Sequence, residues 1–172
     1  MKFDVDQGIC KQAKLPHDLF MIGLGGQLLL GPAAIFLDIG RLGLLLPLAF
    51  SLIFFIYSYF KSQGTAHWFV IQHWNLALQR YKFLYVAYGI TIIMVTLSWY
   101  VGTNIDPSSP QKFLPVALTR IGVMPTVVMI FVSLVLGNGG LSMANKGELP
   151  DKMVKMNPPP DGLKAIKPRI LS

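Results

Sequence analysis

Three histidines, one cysteine and one arginine set inside an apolar run are the residues whose chemistry has to be weighed first. Histidine can hold a metal or haem, or move a proton near neutral pH. Two metal ligands on one helix need a spacing of three or four, so that both ring nitrogens face one point. His67 and His73 stand six apart, which is about 240° around a helix of 3.6 residues per turn. They do not converge. Haem held between spans would want histidines within the apolar runs, and His17, His67 and His73 all fall outside them. All three read as amphipathic histidines at a membrane interface, and no metal or other cofactor is expected. Cys10, the one thiol, cannot make an internal disulfide and lacks the neighbours of a zinc site. Met1 to Ile9 is too polar to precede a lipid-attachment cysteine. No carboxylate lies within an apolar run, and no histidine base accompanies the serines there. Gly25-Gly26 and Gly139-Gly140 are too isolated to cradle a phosphate. The chain is therefore not expected to be an enzyme. Arg120 alone is ionisable within an apolar run, which disfavours an ion-driven carrier.

The elements that position these residues follow from composition. Of 172 residues, 53% are hydrophobic and 13% charged, against about 25% charged in an ordinary soluble domain. The apolar residues cluster in four runs, each near the roughly 20 residues that cross a hydrocarbon core of about 30 Å. The expectation is an all-α integral membrane protein with four transmembrane helices. Its parts are a cytoplasmic segment (1–18), a transmembrane hairpin (19–60), an amphipathic interfacial helix (61–82), spans three and four (83–136) and an extended basic tail (137–172). The first apolar run begins late, and Gly31-Pro32-Ala33 is a poor cleavage site, so it reads as a retained span.

Span one is rich in glycine, which lets a neighbouring helix approach closely. Gln27 lies near its middle as a helix–helix or substrate contact. Asp38-Ile39-Gly40-Arg41 is short enough to force spans one and two into an antiparallel hairpin, with Asp38 and Arg41 able to pair. Pro47 should kink span two. Between Ala66 and Ala87 there is neither glycine nor proline. Trp68, Ile71, Asn75 and Leu78 form one helical stripe, and Val70, Trp74, Ala77 and Tyr81 an adjoining one. This broad apolar face, with Gln72, Gln79 and Arg80 opposite, suits a helix lying on the membrane surface, or one running straight into span three. Span four runs from Phe113 to Leu136 and includes Arg120, placed to snorkel or to pair with Asp106 or Asp38. Gly137-Asn138-Gly139-Gly140 reads as its stop. The tail carries Pro158-Pro159-Pro160 and six basic residues, Lys164, Lys167 and Arg169 among them, and alone should be extended.

The formal charge is +7. No basic run is interleaved with exposed aromatics, so specific nucleic-acid binding is not expected. Lys2, Lys11, Lys14, Lys61, Arg80, Lys82 and the six tail cations fall on one side of a four-span layout, and Arg41, Lys112 and Arg120 on the other. That twelve-to-three division puts both termini in the cytoplasm, in a bacterial inner membrane. A re-entrant fourth segment would weaken the count to six against nine.

Leu15 to Lys82, about 40% of the chain, resembles in hydropathy the small inner-membrane subunit of type IV secretion and conjugation machines. Asp18-Leu19-Phe20-Met21-Ile22-Gly23 would open its hairpin, and Gly43-Leu44-Leu45-Leu46-Pro47 would sit in the second span. His73-Trp74-Asn75-Leu76-Ala77-Leu78-Gln79-Arg80 would be its basic amphipathic segment. The resemblance implies a structural role beside a secretion ATPase, without catalysis. The expected function is a non-enzymatic docking subunit of an envelope assembly. Its contacts to other membrane subunits, lipid and a cytoplasmic partner would run through Gln27, Trp68, Trp74, Arg80, Arg120 and the tail cations. The alternatives are a small transporter or channel using Gln27, Thr91, Thr126 and Arg120, and the membrane anchor of a respiratory complex.

Overall fold

Long apolar runs satisfy their backbone polar groups in lipid only by coiling into helices, and this chain is helical through most of its length. The computed structural model describes residues 1–37, 43, 45–106, 109–163 and 165–166. In chain order come β1 (Lys2–Phe3), α1 (Gln7–Phe36), α2 (Leu45–Ser62), α3 (Trp68–Asn104), a 3-10 turn (Pro110–Phe113), α4 (Leu114–Lys146), α5 (Asp151–Met156) and β2 (Ala165–Ile166). The two short strands pair antiparallel, Lys2 opposite Ile166 and Phe3 opposite Ala165.

Among the described residues, α2, α3 and α4 are long and apolar enough to cross a membrane. Their exposure pattern is inverted relative to a water-soluble bundle. On α2 the buried residues are Pro47, Ser51, Ser58 and Ser62, while Leu52, Ile53, Ile56 and Phe60 are exposed. On α4 the buried stripe runs through Gly122, Thr126, Ile130, Ser133, Gly137, Gly140 and Ala144, while Met124, Val128, Phe131 and Val135 face outward. Water would penalise that arrangement. Lipid does not, because tails are as apolar as leucine and helices associate there through small residues and hydrogen bonds. These helices therefore mark an integral membrane protein.

The chain divides into two units. The first comprises Met1–Arg80 with Leu134–Ser172. Its α1–α2 hairpin is tight because Gly26 has no side chain: a Cβ there would collide with the Phe50 ring. The turn expected at Asp38–Arg41 lies outside the described residues. α1 begins at Gln7 and carries Pro16 and Pro32 within it, so much of the polar segment before the first apolar run is helical. At 37 residues, α3 is about 55 Å long, well over the roughly 30 Å of hydrocarbon. The excess at its start folds with the polar segments of this unit. Phe3, Ala13, Phe69, Val70, Trp74, Ala144, Leu149 and Val154 form one buried core, contributed by the N-terminal segment, α1, the start of α3 and the region from the end of α4 to α5.

Three expectations are corrected. The segment 61–82 is not a helix of its own: Lys61 and Ser62 end α2, and Trp68 opens α3. Residues 68–82 run into α3 without a break, and both faces are enclosed: Val70, Trp74, Ala77 and Tyr81 on one, Gln72 and Arg80 on the other. Its apolar face found a protein core instead of lipid. Gly137–Gly140 does not end the fourth apolar helix. The stop is Gly147, at φ 68°, where the Glu148 amide donates to the Met143 carbonyl at 2.8 Å and the Gly147 amide to Ala144 at 3.4 Å, the paired closure that favours glycine just past a helix end. The tail is not extended throughout, for α5 docks Met153 and Val154 into the interior.

The second unit is Tyr81–Ser133. Here α3 and α4 approach closely where Gly122 leaves room for Met94 and Gly102 for Pro115. Thr91 and Thr126 bond side chain to side chain at 2.8 Å. Ser98 donates to the Pro115 carbonyl and lies 2.7 Å from the Thr119 hydroxyl.

Candidate functional site

The chemically richest place is a buried cluster of His17, His73 and Arg80 in the first unit. His17 comes from α1, just before its apolar run. His73 and Arg80 come from α3, seven residues apart and hence two turns along one face. His17 and His73 are 0% exposed and Arg80 is 6% exposed. Their floor is Gly140 of α4, where a Cβ would strike Arg80 Nη1 and the His17 ring. The glycine is thus a place of close approach.

Arg80 Nη1 lies 3.1 Å from His17 Nδ1, and His17 Nε2 lies 2.8 Å from His73 Nδ1. A guanidinium only donates, which fixes the protons by logic. His17 accepts at Nδ1, so its neutral ring carries hydrogen at Nε2 and donates to His73. His73 therefore accepts at Nδ1 and holds its own hydrogen at Nε2. Burial pushes His17 down from 6.5 to about 2, helped by His73 and then Arg80. Burial likewise lowers His73 to about 4, helped by Arg80, while the Glu148 backbone acts in the raising direction. Nε2 of His73 meets no partner at hydrogen-bonding geometry among the described residues. Burial also lowers Arg80, to about 10, so it stays charged at neutral pH. The rings meet edge to face, His17 and His73 at 5.1 Å between centroids and Phe69 and His73 at 4.6 Å.

This arrangement is a clasp. Two neutral imidazoles and one cation join α1 to α3 over the bare backbone of α4. The facing nitrogens already share a hydrogen, and the adjacent guanidinium repels a second cation. Among the described residues no three His, Cys, Asp or Glu side chains gather to hold a metal ion.

The histidines correct the reading from spacing. Of the three, only His67 is exposed. It precedes α3, where its carbonyl accepts from the Val70 amide at 2.9 Å and its Nδ1 lies 3.3 Å from the Phe69 amide. His17 and His73 are interior groups, not interfacial ones. No periodicity marks this pair, although the two-turn spacing of His73 and Arg80 was available in the sequence.

The other expected contact residues separate. Trp68 packs edge to face on Phe3 at 5.5 Å, and the buried Trp74 meets Tyr57 at 5.9 Å. Both tryptophans therefore help hold the first unit together, in the same folded region as Arg80. Gln27 is buried on α1. Arg120 is exposed on α4 and makes no ion pair among the described residues; Asp38, one partner expected for it, lies outside them. Lys164, Lys167 and Arg169 lie outside the described residues as well. Of the polar groups considered for a transport path, Thr91 and Thr126 meet, but each satisfies the other. Polar contacts also hold α5 and the residues after it: Gln79 Nε2 lies 3.2 Å from Met153 Sδ, and Asn157 donates to Gln72 at 3.3 Å. Comparison with protein families, curated proteins and solved structures gives no match for this chain.

Proposed function

We propose that this chain is a non-enzymatic four-span membrane subunit that presents a folded cap, with both termini on the cytoplasmic face, to the other members of an envelope assembly. One observation carries the reading. The polar segments that precede the first apolar run, separate the second from the third, and follow the fourth all contribute to one buried core. Segments sharing a core lie on one side of a bilayer. The number of crossings between each successive pair is then even, which is satisfied when α1 and α2 cross as a hairpin and α3 and α4 cross as another. The positive-inside count places that shared side in the cytoplasm.

A docking role is supported by how the cap spends its side chains. Phe3, Phe69, Trp74, Leu149 and Val154 are used in its own core, and Lys2, Lys11, Lys146, Lys152 and Lys155 remain exposed. Such a surface suits polar, salt-sensitive association. A type IV secretion or conjugation machine is the assembly the hairpin's resemblance favours. The layout is tested with single cysteines in a Cys10→Ser background, at Gln12, Gln63 and Asn157 in the cap and at Asn104, the last residue of α3. Membrane-impermeant labelling should reach Asn104 from the side opposite the other three. Labelling of all four from one side rejects it. Isolation of the full tagged chain in mild detergent should yield a heteromeric species, and a single-chain species rejects the subunit role.

A further inference from the structure

We propose that the N-terminal third of α4 holds an anionic phospholipid, its phosphate on Arg120 and one acyl chain in the groove below. The observation is a shallow groove of about 490 Å³ lined by Phe113, Val116, Ala117, Arg120 and Ile121. These positions recur at intervals of three, one, three and one, so Val116, Ala117, Arg120 and Ile121 form one stripe of α4, which Phe113 extends from the end of the 3-10 turn. Phe113, Val116 and Ile121 are 66%, 53% and 62% exposed. Ala117, lying between them, is the small residue that makes the stripe concave. The stripe rises about 12 Å from Phe113 to Ile121 at 1.5 Å per residue, a length suited to the upper part of an acyl chain.

Arg120 decides what kind of molecule fits. Its aliphatic stem lines the groove, whose wall is almost wholly apolar, and no carboxylate pairs with its permanently charged guanidinium among the described residues. An unpaired guanidinium facing lipid is costly. Its planar fork of donors matches a phosphate in bidentate geometry better than a lysine would. Arg120 lies about 9 Å along the axis from Leu114, the first residue of α4, within snorkelling reach of the headgroup layer. A zwitterionic headgroup cancels part of the attraction within itself, whereas an anionic one retains it. The occupant is therefore a glycerophospholipid of net negative charge in the leaflet that receives the start of α4. The inference rests on α4 lying in the bilayer and not on the subunit role.

The test uses the full chain in mixed micelles with equal phosphatidylglycerol and phosphatidylcholine, read by native mass spectrometry. The wild-type chain should retain the anionic lipid over the zwitterionic one by about fivefold, the discrimination one basic residue gives at a membrane surface. Arg120→Gln should bring the two to parity. Ala117→Phe, which fills the groove and keeps the charge, should lower both adducts. Parity in the wild-type chain, or a preference that survives Arg120→Gln, overturns the proposal. A photo-crosslinker at Val116 in intact cells should capture lipid; capture of a protein instead assigns the stripe to a partner helix and also overturns it. Release of the chain from membranes by carbonate would defeat the membrane reading itself, so the two failures stay distinct.

Discussion

His17 Nε2 stands 2.8 Å from His73 Nδ1, across 56 residues of sequence and between two helices. The contact holds one hydrogen between the facing nitrogens, so the two rings cannot both be imidazolium there, where N–H would oppose N–H beside the Arg80 charge. Burial is the larger reason each ring resists protonation.

Acid should therefore loosen the cap. Both folded values, about 2 for His17 and about 4 for His73, lie below the ordinary 6.5. Above pH 6.5 neither state binds the proton and the contribution of the pair is fully present. Below it the unfolded chain protonates while the folded one does not, so stability falls as pH drops from 6.5 toward 4. The slope is about 1.4 kcal/mol per pH unit for each histidine. Melting of the detergent-solubilised chain between pH 8 and 4.5 should show a plateau and then a fall below pH 6.5, with a shallower fall in His73→Gln. A midpoint that does not change between pH 7.5 and 5 would remove the clasp from the stability of this protein.

Arg80→Met should make that acid limb shallower. The guanidinium lowers both histidines through its charge. Without it they protonate at higher pH in the folded state and differ less from the unfolded chain. Near pH 8 the net effect should be small. Losing the donor to His17 Nδ1 costs about 1–3 kcal/mol, and no longer desolvating a cation offsets much of that. The slope of stability against pH reads the first effect and the plateau the second. An Arg80→Met chain with an unchanged slope would show that the charge does not act on the histidines.

The long apolar helices were legible because a run of leucine, isoleucine and phenylalanine about 20 residues long suits a helix able to cross lipid. The cap was not. Phe3, Trp74 and Leu149 belong to one core, but Phe3 and Leu149 sit in short segments with too few apolar residues to announce a partner so far along the chain. The start of α3 was read as amphipathic with an apolar face, and that face is real; what covers it is protein rather than membrane. Gly137–Gly140 misled because glycine signals a helix end in water, where a mid-helix glycine wastes stability. In a membrane helix the same residue admits a neighbour. Gly137 leaves room for Met21, and Gly140 for His17 and Arg80. Arg80 lies against His17 of the same chain, a contact that no spacing in the sequence announces. The cue that Gly147, not Gly140, ends α4 was present only as one more glycine.

Thr91 and Thr126 offer a measure of how firmly the second unit is closed. Each hydroxyl is buried and bonded to the other at 2.8 Å. Hydrogen bonds between membrane helices average about 0.6 kcal/mol in double-mutant cycles, with a maximum near 1.7. Thr91→Val and Thr126→Val keep the shape and remove one hydroxyl each. Unfolding titrations of both single variants and the double one should give a coupling of about that average. A coupling indistinguishable from zero would mean that the hydroxyls are satisfied elsewhere, as at a polar path between the helices.

Two neighbouring glycines provide the sharpest comparison, because they share a helix, a composition and almost a depth. Gly140 is buried, and an added Cβ would meet His17 Cε1 at 2.6 Å as well as Arg80 Nη1. Gly139, one residue earlier and 100° around the helix, would carry a Cβ into open space. Gly139→Ala should be neutral or stabilising by about 0.5–1 kcal/mol, since alanine gives up less freedom on forming a helix. Gly140→Ala has the same helical gain but must displace a buried imidazole held by two hydrogen bonds, and overpacking of that kind costs about 1–3 kcal/mol. Melting at pH 8 should therefore separate the two variants in opposite directions. Lowering the pH should narrow the gap, since a cap already loosened by histidine protonation has less packing left to lose. Equal midpoints at pH 8 would show that Gly140 is a helix residue like its neighbour and that the clasp does not rest on the backbone of α4.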